Sequence, residues 1–320
     1  MVVMMLARDA HAGPISPSRG LIIRPRWLDA TAENEDSILT LQQFGGWGGV
    51  FHGFNSVKDD FGWGIDLGVG FEIARLFNEI SLIGFSDMEL TAKTDNDIYF
   101  NPKGAFWEEG ILFTRKGYRE PDFQWGYIHR CRHDVDNGDT TEFVRIPSER
   151  TLIYGSLTFR ALFEEISLNH NPCDFPPCPK FNLESISPWL AADLYVFRED
   201  YRQPGSDYGI IPNFSNILFT ISGGAYGDLM TLGPGYLYSR ASVGMTAFGS
   251  SGSYFHSYSK FSKVTLDGDA EVGYAHSGAA AKVEFYLGWQ GMNDDASSPL
   301  PVASHFLTLG FRLAGSDLVE

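Results

Sequence analysis

From Trp63 to Leu313 the chain alternates: apolar side chains on one set of steps, polar side chains or glycine on the other. Val283, Phe285, Leu287 and Trp289 interleave with Lys282, Glu284, Tyr286, Gly288 and Gln290. Likewise Trp63, Ile65, Leu67, Val69, Phe71 and Ile73 interleave with Gly64, Asp66, Gly68, Gly70, Glu72 and Ala74. A period of two means β-strand, because successive side chains leave opposite faces. Strands of soluble sandwiches run to about five or six residues. These segments are about twice as long, with bulky aliphatics and aromatics on one face and charges amid glycines on the other. That polarity predicts an all-β fold, a closed antiparallel transmembrane β-barrel with lipid outside and a polar lumen inside.

Twelve strands can be laid along the chain, at about 38–54, 62–75, 79–92, 105–115, 122–133, 151–163, 189–199, 216–228, 236–248, 264–276, 281–290 and 305–313. The count is even, as single-chain bacterial barrels require when both ends lie in the periplasm. Connections near 76–78, 116–121, 230–235 and 277–280 then fall on the periplasmic side and are short. Those near 55–61, 93–104, 134–150, 200–215 and 249–263, with the last loop NDDASSPLPVA, fall outside and are longer. The exception is 164–188, long yet periplasmic. The barrel is thus expected over 38–313, followed by a tail, 314–320. Before it, residues 1–12 resemble the remnant of a secretory signal, with Ala10-His11-Ala12 as a small-x-small cleavage site. Residues 13–37, carrying GLIIRPRW and an acidic stretch, are a periplasmic lead-in or a plug in the barrel mouth.

Composition sharpens this reading. The 35 glycines suit curved walls, and 25 Phe, 14 Tyr and 7 Trp suit membrane interfaces. No apolar run reaches the roughly 18 residues of a membrane-spanning helix. Forty acidic against 24 basic residues give a net charge of −16, which excludes nucleic acid as a partner. The expected location is the bacterial outer membrane. The expected partners are its lipids and, during biogenesis, the barrel-assembly machinery; the oligomeric state is left open.

Three cysteines occur. Cys173 and Cys178 share a proline-rich loop, NPCDFPPCPKFN, where a disulfide is expected in an oxidising envelope compartment. Cys131 is left over, within DFQWGYIHRCRHDVDNGD. There Phe123, Trp125, Tyr127, His129, Cys131 and His133 share one face, and Gln124, Gly126, Ile128, Arg130, Arg132 and Asp134 share the other. The aromatic face is the outer one. It places His129, Cys131 and His133 at the extracellular rim, where an imidazole beside a thiol can activate it. Cys131 is then the candidate nucleophile and His129 the base, oriented by His133 or by Asp134, Asp136, Glu142 or Glu149. The oxygens of Asp134, Asp136, Asn137 and Asp139 offer a calcium site, although their spacing departs from an EF-hand loop; the other reading is a solvated acidic loop. No metal is otherwise expected. The lumen would hold Asp66, Glu72, Arg130, Arg132, Arg240, Lys282, Glu284 and Arg312, charges of both signs able to pair.

The H-x-C pair of YIHRCRHDVDN resembles the H-x-S pairs of two outer-membrane barrel esterases, outer-membrane phospholipase A and lipid A deacylase. A closer resemblance is to an uncharacterised family of bacterial outer-membrane barrels whose strand carries H-x-S-S-H-x-G-D. Here His129, Cys131, Arg132, His133 and Asp136 fill that pattern as H-x-C-R-H-x-x-D, with cysteine in place of serine. The likeness extends more loosely over GLIIRPRW, SDMELTAKTDNDIYFNPKGAFWEEGILFTR, FYLGWQGMNDD and FLTLGFRL. It implies catalytic roles for His129, Cys131, His133 and Asp136 in lipid-ester chemistry.

Three functions follow: an outer-membrane barrel without enzymatic activity (structural, partner-binding or a narrow pore), a lipid-directed hydrolase at the rim, and a soluble all-β secreted protein.

Overall fold

The computed structural model describes residues 23–25, 27, 38–40, 43–54, 62–92, 102–118, 121–134, 150–167, 185–202, 217–249, 261–278, 281–292 and 304–316. Its strands are β1 (Ile38–Thr40), β2 (Phe44–Phe54), β3 (Trp63–Leu76), β4 (Ile80–Ala92), β5 (Pro102–Arg115), β6 (Asp122–Asp134) and β7 (Arg150–Leu162). They continue as β8 (Ile166–Ser167), β9 (Ser185–Arg202), β10 (Ile217–Leu232), β11 (Gly235–Gly249), β12 (Phe261–Ser277), β13 (Lys282–Met292) and β14 (Ser304–Ser316). Twelve of them close a ring. Closure is made by β14 on β2, where Leu313 faces Gly48 and Phe311 faces Val50. Every neighbouring pair around the ring is antiparallel. A closed ring leaves no backbone edge unpaired, which is what a wall standing in hydrocarbon requires.

Two short strands complete the sheet. β1 continues the line of β2 along the same neighbour, β3, so the expected strand over 38–54 is interrupted between its two parts. β8 pairs with the base of β9 through Ile166 and Ile186, so strand structure extends into both ends of the long 164–188 connection. The tight turns share the end of the barrel where β8 lies. At one of them Phe77 and Asn78 both adopt positive φ, 52° and 51°. At another, Gly233 (φ 59°) and Pro234 alone join β10 to β11.

The molecule is polar within and apolar without. Phe285, Leu287, Trp289, Leu307, Leu309 and Leu313 are exposed on β13 and β14, whereas Lys282, Glu284, Thr308 and Arg312 of the same strands are buried. Phe285 is 57% exposed and Glu284, its neighbour in sequence, 0%. One expected stretch shifts phase. A bulge between Glu72 and Ala74 breaks the alternation of β3, so Arg75 rather than Ala74 turns inward. Arg75 Nε and Nη2 donate to the two Glu72 carboxylate oxygens at 2.8 and 2.9 Å, and Ser81 Oγ donates to Oε1 at 2.6 Å.

Glycines make room for large inner side chains. A Cβ on Gly68 would overlap the Trp47 indole, and one on Gly64 would overlap the Phe51 ring. Both aromatics thereby lie flat against the inner wall, with Trp47 Nε1 donating to Asp87 Oδ1 at 2.8 Å.

Candidate functional site

The β5–β6 hairpin sets the geometry of the cluster, with His129 at the level of Glu109, below the rim expected for it, and Cys131 and His133 successively nearer that rim. Its register places Trp107 opposite Cys131, Glu109 opposite His129 and Ala105 opposite His133. Parity sends His129, Cys131 and His133 to the outer wall; Arg130 goes inward and is 1% exposed. His133 Nε2 lies 3.2 Å from Cys131 Sγ. The expected contact between His129 and Cys131 is not the one formed: His129 Nδ1 lies 3.3 Å from Glu109 Oε1, across the strand pair. Two side chains on one strand face stand about 7 Å apart at their Cα atoms, so which imidazole bends toward the thiol is a matter of rotamer, not of parity. The Cys131 thiol is free and half-buried.

Glu109 was not among the candidate residues. Its signal was the pair Glu108-Glu109 in FWEEGIL: in an alternating strand two successive carboxylates must face opposite ways, so one had to stand on the outer wall. Asp136, Asp139, Glu142, Cys173 and Cys178 lie outside the described residues, as do the side chains of Arg132, Asp134 and Glu149. With them, the calcium site and the disulfide stay expectations. Among the described residues, no group of three or more His, Cys, Asp or Glu side chains is disposed to hold a metal.

Inside the barrel, charges form belts. In one, Glu271 accepts from Tyr238 Oη at 2.5 Å, from Arg240 Nη2 at 2.5 Å and from Arg312 Nη2 at 2.7 Å. Glu284 joins it by pairing with Arg312 Nη1 at 2.8 Å and Lys282 Nζ at 2.9 Å. The Arg312 guanidinium also stacks 4.0 Å over the Tyr286 ring. In another belt Arg130 pairs with Glu108, donates to Ser156 Oγ at 2.5 Å and reaches Asp193 at 3.4 Å. A cavity remains between the walls, with Asp66 and Glu89 on β3 and β4 and with Arg240, Asp269 and Glu271 on β11 and β12 among its lining.

The short-turn mouth is occupied by the chain's own N-terminal segment. Ile23 is fully buried among Trp47, Ile83, Phe85, Leu112, Ile128 and Ala314. Its carbonyl accepts from Gln124 Nε2 at 2.5 Å. Asp122, at the base of β6, takes three donors: Arg24 Nε at 2.9 Å, Trp27 Nε1 at 2.9 Å and the backbone N–H of Gly117 at 2.7 Å. Arg75 lies 5.4 Å and Lys116 Nζ 5.8 Å from the centroid of a Trp27 ring. Ile23, Arg24 and Trp27 thus lie against the inner wall at the short-turn end.

Fold and wall together define a transmembrane β-barrel with a polar interior. No family model matches the chain, and no curated protein does. Solved structures do match in overall shape. The translocator domain of the autotransporter NalP from Neisseria meningitidis aligns with a TM-score of 0.40 at 10% identity, over 90% of this chain and 92% of that one. An outer membrane channel from Pseudomonas putida aligns with a TM-score of 0.41 at 8% identity, over 90% and 100%. The outer membrane phospholipase of Salmonella typhi, described as a dimer with bound calcium, aligns with a TM-score of 0.40 at 10% identity, over 85% and 89%. At these scores the likenesses bear on neither activity nor partners.

Proposed function

We propose that the chain is a bacterial outer-membrane barrel working as a narrow pore, held shut at rest by its N-terminal segment. What supports this most directly is the seating of Ile23, Arg24 and Trp27 in the short-turn mouth, with Asp122 as their polar anchor. Above that plug the lumen is polar and keeps a cavity bordered by charges of both signs, an environment for water and small polar solutes rather than for lipid. The outer location rests on the wall: a closed antiparallel ring with leucines and aromatics outward has its apolar surface covered only in a bilayer. The test is conductance in planar bilayers. The native protein is expected to be mostly closed. Asp122→Ala and Ile23→Asp, which loosen the seat by different means, are expected to raise open probability roughly tenfold, the change that accompanies about 1.4 kcal/mol. If all three stay silent while folded, the pore reading fails and a structural or partner-binding barrel replaces it.

A second reading draws on the 3.2 Å contact between His133 and Cys131. In it, His133 takes the thiol proton and the thiolate attacks a lipid ester carbonyl. The lipid alcohol leaves with that proton, and water then releases the acid from the thioester. Asp136 is the acid the sequence offers to orient the imidazole, and outer-membrane lipid is the substrate class. Alkylation of Cys131 in a Cys173→Ser/Cys178→Ser background is expected to abolish lipid hydrolysis by refolded protein. A fully active alkylated protein would remove Cys131 as nucleophile.

A further inference from the structure

The outer wall carries ionisable side chains where lipid should lie. Glu109 stands six residues above Arg115 in a strand of 14. At about 3.3 Å per residue and a tilt near 40°, that is roughly 15 Å up the barrel axis, midway through an apolar band about 25 Å tall. The Glu109 side chain is 54% exposed and that of its partner His129 34%. Polar neighbours lie at the same level. Ser86 is the cross-strand neighbour of Glu109. On the other side, a Cβ on Gly155 would overlap the Tyr127 hydroxyl, so Tyr127 lies across Gly155, opposite His129. Elsewhere the described wall at mid-height is Leu, Val, Ile, Phe, Met and Trp with small residues. An ionisable pair facing hydrocarbon is costly and is retained where something covers it.

We propose that this wall of β5 and β6 is the interface with a second copy of the chain, and that Glu109 and His129 pair across it. This goes beyond the pore reading and rests only on the part of it that places the wall in a bilayer. The argument for a second copy is complementarity. Glu109 and His129 face each other directly on adjacent strands, within about 3 Å of one height at that tilt, a gap their side chains span. A two-fold axis along the membrane normal, passing between them, sets Glu109 against the partner subunit's His129 and His129 against the partner subunit's Glu109. Four groups then satisfy one another away from lipid. Contact between membrane walls gains little from apolar burial and depends on polar pairs and close approach. The row running from Ser86 to Gly155 supplies both.

The test is the mass of the full-length refolded protein in a neutral detergent, by analytical ultracentrifugation, with cross-linking in phospholipid vesicles alongside. The native protein is expected at twice the 35.6 kDa chain mass. Glu109→Leu/His129→Leu, which makes the wall more lipid-like, is expected to weaken the dimer at least ~10-fold in dissociation constant. Glu109→His alone opposes histidines and is expected to weaken it too; Glu109→His combined with His129→Glu is expected to restore it. A native protein at the mass of one chain, or a dimer that survives the double leucine variant, overturns the proposal. A folded monomer in micelles leaves the membrane barrel intact, whereas a protein soluble without detergent would sink the barrel reading as well.

Discussion

Glu271 holds two arginines at once, and removing it shows what the lumen charges are worth. Arg240 and Arg312 are both buried, and Glu271 accepts from each. Glu271→Ala is expected to destabilise the refolded barrel by about 3–5 kcal/mol in urea titration, because two buried cations lose a shared counter-charge. A loss below ~1 kcal/mol would mean that lumen water already solvates the guanidinium groups. At this scale parity was a good guide. Arg130, Arg240, Lys282, Glu284 and Arg312 were legible as inward from alternation alone. Arg75 was not, because a bulge adds one residue to the phase and leaves no mark in composition. Nor was the choice of His133 over His129 at Cys131, which depends on side-chain torsions.

The strands and hairpins were legible for the same reason the side chains were: a long period-two run has few alternatives. Each outward strand face is expected to behave as lipid-facing surface. Phe285 sits mid-strand on β13, its ring centroid 5.2 Å from that of Phe311 on β14. Phe285→Arg is expected to cost about 2–4 kcal/mol and to lower the yield of assembled barrel, scored as the folded band on an unheated gel. An unchanged yield and unfolding midpoint would place Phe285 away from the hydrocarbon. What escaped the pattern were a break and a short element. The break after β1 falls inside the one strand expected over 38–54, and β8 is two residues long, too short for a period to register. The seat of Ile23 depends on side chains from β2, β4, β5, β6 and β14, which only the closed ring brings together.

For the whole molecule, closure and the inside-out wall follow from one fact: apolar and charged positions are segregated by parity over twelve long strands. The sequence could not disclose how full the lumen is, since that depends on how far inner side chains reach across it. Those side chains turn out to be large. Tyr154, Tyr238, Arg130 and Phe306 are all fully buried, and glycines beneath several inner aromatics let them lie against the wall. The account stands on the wall facing lipid while the lumen excludes it, and tryptophan reports on both sides. Trp289 and Trp107 are exposed on the outer wall, 43% and 44%, whereas Trp47 is 5% exposed inside. The deciding measurement is fluorescence quenching by lipids brominated along their acyl chains, in single-tryptophan variants reconstituted in vesicles. Strong quenching of Trp289 and Trp107 with little for Trp47 is the expected result. Equal quenching of all three, or quenching of Trp47 alone, would contradict the assignment of outside and inside on which everything above rests.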